Sequence, residues 1–219
     1  MDDIKPGAAV LLSQEKDSKT LALLQCSSYT ESKANTIQST MPVKDAAYFE
    51  QFIGSHPDFP KPGITFKDMM PLLADPEAFS NLNDTLSQHI EAFKPDVVIG
   101  LESRGFILGT PLAIKTKLPF IPIRKKGKLP GELYRQEYQL EYGTDIMEIQ
   151  KSNDLKGKKV CIVDDLLATG GTLEASCNLL EKCGVNKGDM QMLLLIELDF
   201  LKGRNRVEKF GPVESVLHY

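Results

Sequence analysis

Apolar residues recur at helical spacing in two places in the first half of the chain. From Tyr48 to Ile53 they cover one side of a short helix that ends at Gly54, and from Phe79 to Phe93 they advance by three or four residues at a time. Asp75-Pro76 precedes the longer stripe, and this dipeptide is typical of a helix start. We therefore predict a short helix near residues 44–53 and a longer core helix from about residue 76 to residue 93.

Short apolar runs with polar ends follow, and they alternate with segments that have helical character. The predicted strands lie at 96–102, 119–124, 159–165, 191–198 and 213–219, and the predicted helices lie at 103–117 and 172–183. Alternation of polar and apolar residues from Tyr138 to Ile149 predicts a hairpin that projects from the sheet. This order of elements predicts an α/β fold in which helices flank a parallel sheet.

Residues 1–43 have little periodicity and are rich in Ser, Thr, Lys and Gln. Such a composition favours an N-terminal extension without a packed core. Two short apolar runs, Val10–Leu12 and Leu21–Leu24, leave a small β-ribbon as the alternative. The predicted organisation is an extension at 1–43 followed by one domain at 44–219.

Composition and charge exclude several classes of function. The 219 residues carry 26 Lys and Arg against 30 Asp and Glu, for a formal charge of −4, and 42% of them are hydrophobic. A slightly acidic globular chain without an arginine-rich arm is not expected to bind nucleic acid. The longest apolar run, Met192–Ile196, is too short for a membrane span, and the N-terminus lacks the features of a secretory signal. We therefore expect a cytoplasmic protein.

The cysteines and histidines offer little material for metal binding or nucleophilic catalysis. The four cysteines form no CxxC pair, and the three histidines are widely spaced. A zinc site, a disulfide framework and a catalytic histidine are all disfavoured.

The segment VCIVDDLLATGGT at 160–172 carries the clearest chemical signal. An apolar strand would place Asp164 and Asp165 at the carboxyl edge of the sheet, where open α/β folds bind ligands. The small residues Ala168, Thr169, Gly170, Gly171 and Thr172 would then let backbone N–H groups converge on an anion at a helix start. Walker and dinucleotide-binding patterns are both absent from the sequence, so we predict a monophosphate site beside two carboxylates that suit sugar hydroxyls.

This segment resembles the phosphoribosyl pyrophosphate signature of the type I phosphoribosyltransferase family. Three other segments narrow the resemblance to adenine phosphoribosyltransferases: HPDFPKPGITFKD at 56–68, GLESRGFILG at 100–109, and RKKGKLPG with LEYGTDIMEIQ at 124–150. The similarity extends from about Ala46 to Tyr219. It implies a parallel sheet flanked by helices, a flexible β-hairpin hood and a small base-binding lid.

The resemblance implies a role for each matching residue. The residues Ala168, Thr169, Gly170, Gly171 and Thr172 would bind the 5′-phosphate, and Asp164 and Asp165 would face the ribose hydroxyls. Glu102, Ser103 and Arg104 match the pyrophosphate loop. Arg124 and Lys128 would join Arg104 on the diphosphate.

For the base and the hood, the resemblance points to two further segments. Glu141 and Tyr142 match the dipeptide that closes over the substrates, with Glu141 as the acid/base beside the purine, so that the predicted catalytic residues are Glu141, Tyr142 and Arg104. Thr65, Phe66 and Lys67 match the base-binding stretch, and Phe66 and Leu166 would sandwich adenine. Many family members have arginine where this chain has Lys67, and lysine lacks the bidentate fork of arginine.

The implied reaction converts adenine and phosphoribosyl pyrophosphate to AMP and pyrophosphate. Mg²⁺ would ride mainly on oxygens of the substrate, so no fixed metal site made by the protein alone is predicted. The resemblance also suggests a homodimer. Two alternatives remain: a nucleotide sensor that has lost turnover, and an enzyme that prefers xanthine, hypoxanthine or orotate.

Overall fold

The computed structural model describes residues 44–140 and 143–219. The predicted extension at 1–43, its ribbon alternative and the dipeptide Glu141-Tyr142 therefore lie outside the described residues. Within the described ranges, the strands are β1 (Gly54–Pro57), β2 (Thr65–Asp68), β3 (Val97–Leu101), β4 (Phe120–Lys125), β5 (Leu133–Leu140), β6 (Gly143–Gln150), β7 (Val160–Leu167), β8 (Met190–Glu197) and β9 (Val213–His218). Seven of them form one sheet in the order β5-β6-β4-β3-β7-β8-β9, and β1 and β2 form a separate ribbon.

Five strands of the large sheet, from β4 to β9 in spatial order, run parallel, and the β5–β6 hairpin extends the sheet antiparallel at one edge. Helices connect β3 to β4, β7 to β8 and β8 to β9, whereas the β5–β6 hairpin lies between β4 and β7, which is the arrangement predicted from the alternation of elements. The helices are α1 (Ala46–Glu50), α2 (Met70–Ala74), α3 (Pro76–Phe93), α4 (Arg104–Thr116), α5 (Gly171–Lys182) and α6 (Arg204–Val207).

Both faces of the sheet are covered by apolar packing. In β7, Val160 and Ile162 face one buried cluster, whereas Cys161 and Val163 face the other. Side chains alternate between the two faces of a strand, so a continuous apolar run is what a strand with two covered faces requires. The apolar run predicted as a strand at 159–165 is therefore β7, which lies between β3 and β8 within the sheet.

Helix α3 confirms the longest predicted helix. The side chain of Asp75 accepts a hydrogen bond from the Ala78 N–H at 2.8 Å, and Pro76 occupies the first helical position. Leu82, Leu86 and Ile90 of the predicted stripe are fully buried. The start signal and the apolar periodicity thus describe the same element.

Several element boundaries differ from the prediction. Strand β7 continues to Leu167 because Leu166 and Leu167 still pair with β8, so both aspartates lie inside the strand instead of at its end. Helix α1 ends at Glu50, and Gly54 begins the β1–β2 ribbon, which periodicity did not predict. The projecting hairpin is longer than predicted, since β5 begins at Leu133. Among the described residues, no helix has the length and apolar character to cross a membrane.

Candidate active site

A cleft of about 570 Å³ opens at the carboxyl edge of the parallel strands. Strands β3, β4 and β7 end at this edge, and α4 and α5 begin there. The edge is where an open α/β sheet binds its ligands. Of the residues predicted to form a site, those that line the cleft are Glu102, Ser103, Arg104, Arg124, Asp164, Asp165, Leu166, Ala168, Thr169, Gly170, Gly171 and Thr172.

Residues Ala168–Thr172 connect β7 to α5, and we call them the phosphate loop after their predicted role. Gly170 is the residue before the helix and has a φ of +78°, a left-handed conformation that glycine adopts without strain. A Cβ at Gly170 would lie 2.6 Å from the carbonyl oxygen of Gly203. The loop therefore needs glycine at this position for both conformation and space, and it presents the N-terminus of a 12-residue helix to the cleft.

Two carboxylates form the floor of the cleft next to this loop. Asp164 is 8% exposed, and burial raises its pKa well above the usual value, with the neighbouring charge of Asp165 adding to the increase. Arg104 Nε lies 2.6 Å from Asp165 Oδ2. The cleft thus holds one buried carboxyl that resists ionisation and one carboxylate paired with a cation.

The raised pKa of Asp164 predicts a trade between stability and activity. The pKa of Asp164 is higher in the folded protein than in the unfolded chain, so the protonated carboxyl favours the folded state at a pH below its ordinary pKa. This stabilisation is lost as the pH rises through the raised pKa. We expect Asp164→Asn to raise the melting temperature at pH 7 by about 2–6 °C, and the difference should shrink on acidification.

The same substitution should lower kcat/KM about 10- to 100-fold, because an amide replaces one of the two carboxyl oxygens with an NH₂ group, which cannot accept a hydrogen bond from a ribose hydroxyl. Thermal melts from pH 4 to pH 8, with kinetics in parallel, check both effects. An Asp164→Asn protein that melts lower than the unmodified protein at pH 7 would contradict this account.

The opposite wall of the cleft carries positive charge held by Glu102. Arg124 contacts both oxygens of this carboxylate, with Nε and Nη2 each at 3.3 Å, and the Lys125 backbone N–H donates to Oε2 at 2.8 Å. Burial alone would raise the pKa of Glu102, but these donors outweigh it and hold the pKa below its usual value. Glu102 is therefore an ionised anchor that orients Arg124 at the edge of the cleft.

Two polar residues that line the cleft, Tyr138 and Lys125, are not among the predicted site residues. The Tyr138 hydroxyl donates to Asp145 Oδ2 at 3.3 Å across the hairpin, and Lys125 Nζ lies 3.2 Å from the same carboxylate oxygen. Tyr138 and Thr172 both line the cleft, so the hairpin lies beside the phosphate loop. The sequence holds a hint of both positions, since Tyr138 is an aromatic residue with a hydroxyl group in the alternating segment and Lys125 directly follows Arg124.

Four other predicted site residues do not line this cleft. Lys128 is close enough to Glu102 for its charge to lower the pKa of that carboxyl, and Thr65, Phe66 and Lys67 lie on β2 of the separate ribbon. Lys67 Nζ donates to Ser55 Oγ at 3.1 Å and lies 3.7 Å from the centre of the Tyr219 ring. The ring of Phe66 packs edge-to-face on another aromatic, Phe59, with 5.3 Å between centroids. Their predicted role at the base therefore stays a prediction, as do the roles of Glu141 and Tyr142, which are not described.

Beyond the cleft, the described residues include one group with metal-binding potential: Glu197, Asp199 and His218 have ligand atoms within 4.8 Å of one another. Glu197 is already engaged, since Arg204 Nε donates to its Oε1 at 2.9 Å and Ser215 Oγ donates to its Oε2 at 2.7 Å. These contacts explain the group as an ion-pair network that joins β8, α6 and β9.

Comparison with known proteins agrees with this geometry. Residues 71–197 match the family model of the phosphoribosyl transferase domain. An adenine phosphoribosyltransferase of Rhodospirillum rubrum is 50% identical over 163 residues, which is 74% of this chain and 93% of that protein. The enzyme of the same name from Desulfitobacterium hafniense is 44% identical, over 78% of this chain and 97% of that protein.

Solved structures give the same result. The adenine phosphoribosyltransferase of Giardia lamblia in complex with 9-deazaadenine superimposes with a TM-score of 0.75 at 36% identity, covering 80% of this chain and 98% of that one. The Saccharomyces cerevisiae enzyme, solved with adenine and an imino-altritol bisphosphate, gives a TM-score of 0.73 at 40% identity, with coverage of 78% and 97%. From its sequence, its sheet and its phosphate loop alike, this chain belongs to the phosphoribosyltransferase family, and within it to the adenine phosphoribosyltransferases.

Proposed function

We propose that this chain transfers the phosphoribosyl group of phosphoribosyl pyrophosphate to adenine, which yields AMP and pyrophosphate in purine salvage. One observation carries the proposal: a single cleft brings together a loop at the start of a helix, the adjacent carboxyl groups of Asp164 and Asp165, and the cations Arg104 and Arg124. Such a cleft can bind a sugar that bears a 5′-phosphate and a diphosphate at C1, because it offers N–H groups and cations for the phosphates and acceptors for the sugar hydroxyls.

In the reaction, N9 of adenine forms a bond to C1 of the ribose while the bond from C1 to the pyrophosphate oxygen breaks. The electron pair of the broken bond leaves with pyrophosphate, and the N9 proton passes to a base. Arg104 and Arg124 would stabilise charge on the departing group, and Asp165 would stabilise the positive charge that develops on the sugar. The phosphate loop would hold the 5′ end of the sugar in place throughout.

Magnesium would enter with the substrate. Mg²⁺ prefers oxygen ligands and keeps several waters, and the cleft offers carboxylate oxygens at Asp164, Asp165 and Glu102. Asp165 and Glu102 are already paired with Arg104 and Arg124. These two acids therefore suit contacts to metal-bound water better than direct coordination of the ion. When bound, the ion neutralises charge on the diphosphate.

Glu141 is the proposed acid/base at the purine, a role that rests on its match to the hood dipeptide of the family. We expect Glu141→Ala to lower kcat about 100-fold, which is the lower part of the range for general acid–base catalysis. The KM for phosphoribosyl pyrophosphate should change little. Steady-state kinetics with Glu141→Gln as the isosteric control check this, and equal weakening of kcat and of sugar-phosphate affinity would exclude the role.

We also propose a homodimer, and helix α4 offers a surface that supports it. Ile107 and Ile114 are 41% and 74% exposed, and seven residues apart on a helix they share one face. Apolar side chains of this size on one face suit an isologous contact with a second copy. Sedimentation velocity should give the mass of two chains, and a mass of one chain at micromolar concentration would contradict the dimer.

The cytoplasm is the proposed location. The described cysteines Cys161, Cys177 and Cys183 are free thiols, and burial raises the pKa of both Cys161 and Cys177 to about 12. Free, unreactive thiols are typical of proteins from reducing compartments. Cell fractionation tests this, and recovery in a secreted or membrane fraction would contradict it.

Product analysis tests the proposed function. The purified chain, incubated with adenine, phosphoribosyl pyrophosphate and Mg²⁺, should form AMP that ion-exchange chromatography detects, and formation should stop when any of the three is omitted. Binding of AMP without its formation would instead favour the nucleotide sensor.

A further inference from the structure

A second backbone segment packs directly behind the phosphate loop. We call Gly203–Arg206 the backing segment; it leads into and includes most of α6. A Cβ at Gly203 would overlap the carbonyl oxygen of Ala168, and a Cβ at Gly170 would lie 2.6 Å from the Gly203 carbonyl oxygen. The two backbones therefore touch through glycine on each side, without intervening side chains.

Arg206 extends this contact along the loop. Its Nη1 donates to the carbonyl oxygen of Thr169 at 3.5 Å, and it would lie 3.6 Å from a Cβ placed on Gly171. Its Nε and Nη2 donate to Glu174 Oε2 at 2.9 and 2.5 Å, and Lys209 Nζ donates to Glu174 Oε1 at 2.8 Å. Glu174 belongs to the first turn of α5, so the guanidinium is held against the helix that the phosphate loop begins.

This placement has a consequence for anion binding. A loop can direct several N–H groups at a phosphate only if its carbonyl groups point away, because carbonyl oxygens repel an anion. The Ala168 and Thr169 carbonyls both point to the backing segment: the Ala168 oxygen lies against Gly203, and the Thr169 oxygen accepts a hydrogen bond from Arg206. With two cations and one carboxylate, the Arg206–Glu174–Lys209 group also carries a net positive charge behind the loop.

We infer that Arg206 is a positioning residue for the sugar phosphate: it holds the Thr169 carbonyl outward and adds positive potential behind the loop. The inference rests on the proposed function, because it assigns the 5′-phosphate to this loop. Arg206 does not line the cleft and acts through the loop backbone. Its effect should therefore appear in affinity for the 5′-phosphate and not in affinity for pyrophosphate, which the Arg104 and Arg124 side would bind.

The test measures two dissociation constants, one for ribose 5-phosphate and one for pyrophosphate with Mg²⁺, by isothermal titration calorimetry. Arg206→Ala should weaken ribose 5-phosphate about fivefold, in the range of one charge-assisted hydrogen bond that is partly exposed. Binding of pyrophosphate should remain the same. Arg206→Lys should recover more than half of the loss, because it keeps the charge. Lys209→Ala is the matched control, since it removes the other cation of the group and leaves the contact of Arg206 with Thr169.

Three outcomes would overturn the inference: equal weakening of both ligands by Arg206→Ala, unchanged ribose 5-phosphate affinity, or an equal loss in Arg206→Lys. Thermal melts of each variant verify the fold. Failure of the proposed function is distinguishable, because it would appear as absence of AMP formation by the unmodified protein, whereas the inference is decided by binding alone.

Discussion

Gly170→Ala is expected to lower kcat/KM for phosphoribosyl pyrophosphate by about 1000-fold, mostly through lost binding of the sugar phosphate. Two physical effects of the added Cβ, backbone strain and steric overlap, lead to this loss. A left-handed φ of +78° strains any residue with a Cβ, and the added carbon would lie only 2.6 Å from the Gly203 carbonyl oxygen. Relief of either problem requires the phosphate loop to move away from the backing segment, which turns its N–H groups away from the phosphate.

Gly171→Ala is the matched control for this prediction. Gly171 has no left-handed strain, and the nearest atom to a Cβ there is Arg206 Nη1 at 3.6 Å, an ordinary contact. We expect a loss of no more than about tenfold. Calorimetry with ribose 5-phosphate and steady-state kinetics measure both variants. Equal losses at the two positions would show that a methyl group anywhere in the loop has the same effect, contrary to the geometry.

Arg104→Ala is expected to reduce kcat about 1000-fold, in the range found when a single donor to developing negative charge is removed. Arg104 begins α4 at the edge of the cleft, where it pairs with Asp165. Its loss would remove a cation from the departing pyrophosphate and leave Asp165, 13% exposed in its side chain, without its partner. The second effect should also repel the diphosphate.

A comparison of variants separates the two effects. Arg104→Lys keeps the charge and should recover part of kcat, but not the directed contact of Nε with Asp165. The double variant Arg104→Ala, Asp165→Asn removes both charges and should bind pyrophosphate better than Arg104→Ala. Pre-steady-state kinetics distinguish the chemical step from product release. A kcat within threefold of the unmodified protein in Arg104→Ala would contradict a role at the leaving group.

Much of the cleft could be predicted because its residues are consecutive in the sequence. The phosphate loop follows the acid pair after two leucines, and a buried strand before a helix start constrains where both must lie. The α3 helix was equally accessible, because Asp75 and the apolar stripe are local signals. Strand β7 was placed two residues too short because charged residues suggest a strand end, whereas pairing of Leu167 with Glu197 continues the strand.

Long-range contacts account for what the sequence did not reveal. Tyr138 joins the cleft because it pairs with Asp145 across the β5–β6 hairpin, and the register of a hairpin depends on the whole of both strands. Arg206 reaches the phosphate loop from 37 residues further along the chain. No spacing rule connects such positions. The ribbon that carries Thr65–Lys67 was missed for a related reason, since its four-residue strands are too short for a period to be read.

Transfer to adenine is best tested by measuring pyrophosphate release from phosphoribosyl pyrophosphate and Mg²⁺ with one base at a time: adenine, hypoxanthine, guanine, xanthine or orotate. We expect release with adenine, and with the other bases no more than the rate without a base. Release with a different base and none with adenine would contradict the proposed substrate. Binding of ligands without release for any base would contradict the proposed enzyme.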